Sequence, residues 1–282
     1  MNYRHVFHAG SFADVFKHAV LARILVHLRA KPAAFRVIDT HAGAGLYDLA
    51  GPEASRSPEW RAGIGRLFGN PLPDPVRPLL APYLDIVREL NPGGRLAVYP
   101  GSPALARAWL RAGDRLVACE LEPNAAAALK RNLARDRRIR VVPIDGWTAL
   151  KAYVPPGERR GLVVIDPPFE DDEDFVRLGR GLEGAHRKWP GGTYLLWYPI
   201  KGRLEPAALA GMLVRSGMAK ILRAELCVAA TPEDGPLGGC GLIIVNPPWT
   251  LAGELSAMIP ALKSILAGEA GSHRLDWLAG ER

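Results

Sequence analysis

The sequence predicts an α/β fold: an open, mostly parallel sheet of seven strands that closes with an antiparallel hairpin and carries a small helical insertion. Three observations predict it. Seven short runs are continuously apolar rather than alternating, as expected for strands buried on both faces. Helical stretches separate the earlier runs, the rhythm of strand–helix–strand crossovers. Four of the seven runs end on an acid, at Asp39, Glu120, Asp145 and Asp166.

The first element is a helix, SFADVFKHAVLARILVHLRA, over residues 11–30. Phe12, Phe16, Ala19, Leu21, Ile24, Leu25 and Leu28 give it a broad apolar face, and Ser11 with Asp14 has the spacing of a capping box. The first strand is FRVID (35–39). About 75 residues then separate Asp39 from the next strand, far more than an ordinary crossover. Residues 51–98 are studded with proline and glycine but hold helical pieces such as RPLLAPYLDIVREL (77–90). This interval is expected to be an inserted, mostly helical subdomain within a single domain covering 1–282. RLVACE (115–120), IRVVPID (139–145), GLVVID (161–166) and TYLLWYP (193–199) follow as strands, with helices expected at 122–135 and 206–217. The last two strands, ILRAELCV (221–228) and GLIIVN (241–246), are joined by a turn-rich loop without a helix. They are expected to pair as an antiparallel hairpin at the sheet edge.

Hydrophobic residues make up 48% of the 282 and charged residues 23%, which suits a chain with a sizeable core and excludes a disordered one. The net charge is +7, and 28 of the 36 basic residues are Arg. Its planar fork matches phosphate oxygens in pairs, so nucleic acid is the first partner to consider. An Arg excess can equally follow from genomic base composition. The run RDRRIR (135–140) reads as a solvated face that could also hold RNA phosphates. Cys119, Cys227 and Cys240 form no CxxC pair, which suggests a reducing compartment and no zinc site. Tyr3, Arg4, His5 and His8 cluster at the start, but no acid joins them at ligand spacing, so no metal is expected. No apolar segment opens the chain and no stretch is expected to reach membrane-spanning length. The expectation is a cytoplasmic monomer with no membrane association.

In open parallel sheets ligands bind outside the carboxyl ends of the strands, where the four acids fall. One or two acids there could be turn formers or helix caps; four point to a site. Gly43-Ala-Gly45 after the first strand gives a tight turn where backbone approaches a ligand. Asp48 stands where a dinucleotide fingerprint needs a third glycine, which disfavours a nicotinamide enzyme. Glu120 suits ribose hydroxyls, and Asp145 could accept from the exocyclic amine of an adenine. Together they suit a nucleoside cofactor without a critical pyrophosphate, such as S-adenosylmethionine.

Two similar turns stand apart: Asp166-Pro167-Pro168-Phe169 and Asn246-Pro247-Pro248-Trp249. In the first, the Asp166 carboxylate and the Pro167 carbonyl could each accept an N–H of a base amine, aiming its lone pair at a methyl donor. Phe169 would stack on a base swung out of its helix. The second ends an antiparallel strand, on the face opposite the crevice, and its Asn246 is neutral. It is expected to be structural, with Trp249 packed under the C-terminal segment. The rival reading makes it the catalytic copy.

The segments YRHVFHAGSFADVFKH (3–18), DTHAGAG (39–45), YPGSP (99–103), IDGW (144–147), RRGLVVIDPPFE (159–170), GTYLLWYPI (192–200) and IIVNPPW (243–249) carry a resemblance. On these the chain resembles, nearly end to end, the bacterial 23S rRNA adenine-N6 methyltransferases of the RlmJ type. The first segment is highly specific, whereas DPPF is shared by many amino-methyltransferases. The resemblance implies a Rossmann-like class I methyltransferase fold with a small helical insertion. It implies that Lys17, His18, His41, Ser102, Glu120, Asp145, Gly146 and Asp166 line an S-adenosylmethionine site, with Gly43 in the adjoining turn. It further implies that Asp166 is catalytic, that Tyr3 meets the substrate adenine and that 23S rRNA is the partner. Phe169 departs from the Tyr that members often carry, so stacking survives but any role for a hydroxyl does not. The alternatives are a DNA adenine-N6 methyltransferase, for which no separate recognition domain is evident, and a non-catalytic RNA-binding protein on the same fold.

Overall fold

The computed structural model describes residues 5–133, 135–170, 173–202, 204–229 and 237–281. A 3-10 turn, His5–Phe7, precedes helix α1, Phe12–Ala30. After β1 (Arg36–Asp39) come β2 (Leu46–Asp48) and β3 (Val98–Pro100), which pair as a small antiparallel ribbon. Between them lie α2 (Pro52–Arg56), α3 (Glu59–Ala62), α4 (Ile64–Gly69) and α5 (Arg77–Leu90). Then follow α6 (Ser102–Trp109), β4 (Arg115–Cys119), α7 (Pro123–Leu133), β5 (Ile139–Val142), α8 (Gly146–Tyr153) and β6 (Gly161–Ile165). The chain continues through α9 (Glu173–Lys188), β7 (Thr193–Ile200), α10 (Leu204–Arg215), β8 (Ile221–Cys227), β9 (Gly239–Val245), α11 (Leu251–Ala267) and β10 (Ser272–Ala279).

The main sheet has eight strands in the order β10-β8-β9-β7-β6-β1-β4-β5. β5, β4, β1, β6 and β7 are mutually parallel, and β9 runs antiparallel to both β7 and β8. The expected hairpin therefore exists, but not at the edge: β9 slots between β7 and β8. The edge belongs to β10, antiparallel to β8. β10 escapes a reading by apolar runs because its sequence, SHRLDWLA, is polar and mostly half-buried or exposed. The three-residue β2 and β3 are too short to show any periodicity.

The sheet is apolar on both faces because helices cover both. One core gathers α1, α4, α5, α6 and α11; the other gathers α8, α9 and α10. α1 is buried around most of its circumference, including three polar residues, Asp14, Lys17 and His18. The capping box is not formed: Ser11 makes no side-chain cap bond, and Asp14 Oδ2 accepts from Gly10 N (3.0 Å). The spacing was right, but a buried cation has recruited the acid. The stretch Leu251–Ala270 does reach the length and hydropathy of a membrane span, contrary to expectation. Its buried residues recur at 251, 255, 258, 259, 262 and 266, a helical stripe packed into the core.

The order reverses at β1, with β4 on one side and β6 on the other. Such a switch point opens a crevice outside the carboxyl ends of the strands.

Candidate active site

A cavity of about 520 Å³ occupies that crevice, a size usual for small-molecule sites. Of the four strand-ending acids, Glu120, Asp145 and Asp166 border it. Asp39 does not: it is 1% exposed and accepts from Ser102 Oγ (2.7 Å), so it anchors the wall from behind. Burial pushes its carboxyl up to about 7, against the Ser102 hydroxyl and the Lys17 ammonium. Ser102 opens α6 behind Gly101 and still borders the cavity.

The turn after β1 forms one wall. Gly43 (φ 60°) and Gly45 (φ 79°) take left-handed conformations, and a Cβ at 43 would fall 2.1 Å from the Tyr47 hydroxyl oxygen. The turn is tied to Glu120: Gly43 N donates to Oε2 (2.8 Å) and Glu122 N to Oε1 (2.8 Å). Each carboxylate oxygen keeps a lone pair for a ligand hydroxyl. Asp145 does not end a strand, because β5 stops at Val142; it is the N-cap of α8. Thr148 N and Oγ1 both donate to Oδ2 (2.8 and 2.9 Å), leaving Oδ1 without a donor among the described residues. The cap and the ligand reading thus coexist in one side chain. Gly146 lets α8 pass under His41: a Cβ there would sit 2.4 Å from the imidazole. His41 stands edge-on to Trp147 (5.5 Å) and pairs with Thr40 Oγ1 through Nδ1 (2.8 Å). Burial lowers its pKa to about 4, so at neutral pH it is uncharged.

The opposite wall comes from α1 and the turn after β6. Lys17 is 4% exposed, and its ammonium lies between Asp14 Oδ1 (3.0 Å) and Asp166 Oδ2. Burial alone would lower the Lys17 pKa; the two carboxylates more than reverse this and hold it well above the usual value. His18 is fully buried behind Lys17, bonded through Nδ1 to Tyr99 Oη (2.8 Å) and stacked on that ring. Pro167 and Pro168 border the cavity beside Asp166.

A comparison with known families decides what this crevice belongs to. Residues 32–279 match the family model described as "Ribosomal RNA large subunit methyltransferase D, RlmJ". The chain belongs to this family. Proteins named Ribosomal RNA large subunit methyltransferase J are similar to it at full length on both sides. The one from Haemophilus influenzae is 37% identical over 284 residues, and the one from Escherichia coli K12 is 37% identical over 282. A crystal structure of protein LPL1258 from Legionella pneumophila superposes with a TM-score of 0.87 at 31% identity, covering 96% of this chain and 98% of that one.

Against the RlmJ expectations, the structure brings Lys17, His18, His41, Gly43, Ser102, Glu120, Asp145, Gly146, Asp166 and Pro167 to one cavity. Phe169 does not border it; its ring packs on Phe175 (4.8 Å) and Trp197 (5.8 Å). Tyr3 lies outside the described residues. Asp14, Tyr47, Trp147, Arg131 and Arg177 were not singled out from the sequence. Asp14 was read as a cap, and Trp147 was visible only as the last letter of IDGW. His8 does meet an acid, Glu59 (2.9 Å), although no spacing suggested it. Among the described residues no group of three or more His, Cys, Asp or Glu is placed to hold a metal. Trp249 is 86% exposed and does not pack under the C-terminal segment.

Proposed function

We propose that this protein methylates the exocyclic N6 of an adenine in 23S rRNA, using S-adenosylmethionine. The observation that carries the reading is that Asp166 and Pro167 border the same cavity as Gly43, Glu120 and Asp145. Family membership supports a large-subunit rRNA substrate, and such a substrate implies action in the cytoplasm. The cavity chemistry fits the cofactor. Glu120 can accept ribose hydroxyls, and Asp145 Oδ1 an adenine amine. His41 stays uncharged, so it does not repel a cationic sulfonium.

The bound cofactor supplies a methyl group on a sulfonium, which is already a good leaving group. The chain then has to orient the nucleophile. A base amine is a poor nucleophile because its lone pair is delocalised into the ring. Asp166 and the Pro167 carbonyl accept its two N–H groups, which favours a tetrahedral nitrogen with the lone pair directed at the methyl. Lys17, held in turn by Asp14, fixes the Asp166 carboxylate. Tyr3 meets the adenine in this reading. Phe169, wedged against Phe175 and Trp197, supports the turn from outside the cavity rather than serving as the stacking platform. Catalysis is then mostly positioning and electrostatics.

The test is transfer of labelled methyl from S-adenosylmethionine to unmodified 23S rRNA, followed by digestion and nucleoside identification. Wild type should yield N6-methyladenosine. Asp166→Ala should lose at least about 10²–10³-fold in rate, the scale for removing an oriented electrostatic partner. Transfer to DNA and not RNA, or a different methylated nucleoside, would sink the reading.

A further inference from the structure

A second concavity, about 780 Å³, lies between α8 and α9 and adjoins the first: Trp147 and Arg177 border both. Its walls carry five cations, Lys151, Arg177, Arg180, Arg187 and Lys188, against one carboxylate, Glu173. Arg177, Arg180, Arg187 and Lys188 recur at spacings of three, seven and one along α9, which places them along one side of the helix. From Arg177 to Lys188 the row runs about 16 Å, a length over which a nucleic-acid strand carries several phosphates.

Two features separate this row from an ordinary solvated face. The cations are only partly neutralised. Arg177 meets Asp174 (3.0 Å), half-exposed, and Arg187 meets Glu183 (3.0 Å) while 76% exposed. Lys188 donates to the Lys151 carbonyl (3.0 Å). Among the described residues no carboxylate pairs with Arg180 or Lys151. The floor is also kept low by glycine. A Cβ at Gly181 would press on Trp147 at 2.9 Å, and at Gly184 it would project into open space. By contrast, the basic run at 135–140 is partly committed to the fold: Arg138 is spent on Asp136 and the Leu110 carbonyl, and Arg140 covers Tyr153.

We propose that the α8–α9 groove holds the phosphodiester backbone of the substrate RNA and leads the strand to the cavity at its Arg177 end. This rests on the RNA methyltransferase reading above and adds the path of the strand to it. Backbone contacts position without reading sequence, so the groove supplies affinity and register, and the cavity supplies the choice of base.

The experiment compares wild type with the triple variant Lys151→Gln, Arg180→Gln, Arg187→Gln. A control variant removes the same charge elsewhere: Arg88→Gln, Arg95→Gln, Arg274→Gln. Affinity for an unmodified 23S rRNA fragment is measured across a salt series, with S-adenosylhomocysteine binding as proof that each variant is folded. The groove variant should bind RNA at least about tenfold more weakly, and its log–log salt slope should be shallower by about two, as expected for three lost phosphate contacts. The control should change affinity by less than about threefold. An unchanged affinity and slope in the groove variant would overturn the proposal and leave an acidic protein as the groove's occupant. An equal loss in the control would overturn it too, by making net charge the cause. Failure of wild type to methylate RNA in the labelled-methyl transfer assay would remove the reading beneath it, and is scored separately from RNA affinity.

Discussion

Asp166-Pro167-Pro168-Phe169 follows β6, which runs parallel to β7, whereas Asn246-Pro247-Pro248-Trp249 follows β9, which runs antiparallel to it. The two turns therefore leave the sheet at opposite ends of its strands. At the first, the acid meets a buried ammonium and borders the cavity. At the second, Asn246 takes a left-handed φ of 50° and uses its amide as a staple, donating to the Pro190 and Gly192 carbonyls (both 2.7 Å). Its own carbonyl accepts from Thr193 Oγ1 (3.1 Å). The aromatics differ as well: Phe169 is packed, and Trp249 is 86% exposed. The lesson is that strand direction, not the four-letter motif, decides whether such a turn meets the ligand crevice. A neutral Asn suits the second turn because two carbonyls there need donors, which a carboxylate cannot supply.

The sharpest way to break the comparison is to remove the cation that distinguishes the first turn. Lys17→Met removes the buried cation that lies between the Asp14 and Asp166 carboxylates, which should cost about 3–5 kcal/mol of stability by urea unfolding. Methyl transfer should fall at least about tenfold per folded molecule. A wild-type rate in Lys17→Met would show that Asp166 does not depend on this pairing.

At the second turn the expected loss is in stability. Asn246→Ala gives up two amide hydrogen bonds and puts a Cβ residue without polar rescue at positive φ, for about 1–3 kcal/mol in total. Asn246→Gly tolerates the same φ, so the difference between the two variants, on the order of 1 kcal/mol, isolates the backbone part. Methyl transfer per folded molecule should stay within twofold of wild type in both. A large loss of turnover without loss of stability would revive the second motif as the catalytic copy.

How much of this was legible depended on what kind of information each residue carries. The central strands were visible because burial on both faces leaves uninterrupted apolar runs, as in GLVVI at β6; β5, at the other edge and mostly half-buried or exposed, was visible by its β-branched run IRVV. β10 was not, because a largely exposed edge strand carries no such run. The cavity acids were visible by position, since Glu120 and Asp166 follow their strands directly. Asp14 was misassigned because its role is completed only in three dimensions: its neighbour Lys17, three residues on, bridges it to Asp166, far away in sequence. In the same way, the α8–α9 groove could not be read from the chain, because Lys151 comes from one helix and its neighbours from another. Nothing in NPPW indicates whether its aromatic is covered, since that depends on how α11 leaves the turn.

The smallest expected effect is at that aromatic. Trp249 precedes α11 and exposes 86% of its surface, so truncation removes little buried area. Trp249→Ala should change unfolding free energy by less than about 0.5 kcal/mol, the usual range for surface sites, and should leave methyl transfer unaltered. Acrylamide quenching of the difference in fluorescence between wild type and variant should also show a fully accessible indole. A loss above about 1 kcal/mol, or a protected indole, would mean that Trp249 is covered after all. The two Pro-Pro turns would then share a packed aromatic, and the contrast between them would rest on Asp166 and Asn246 alone.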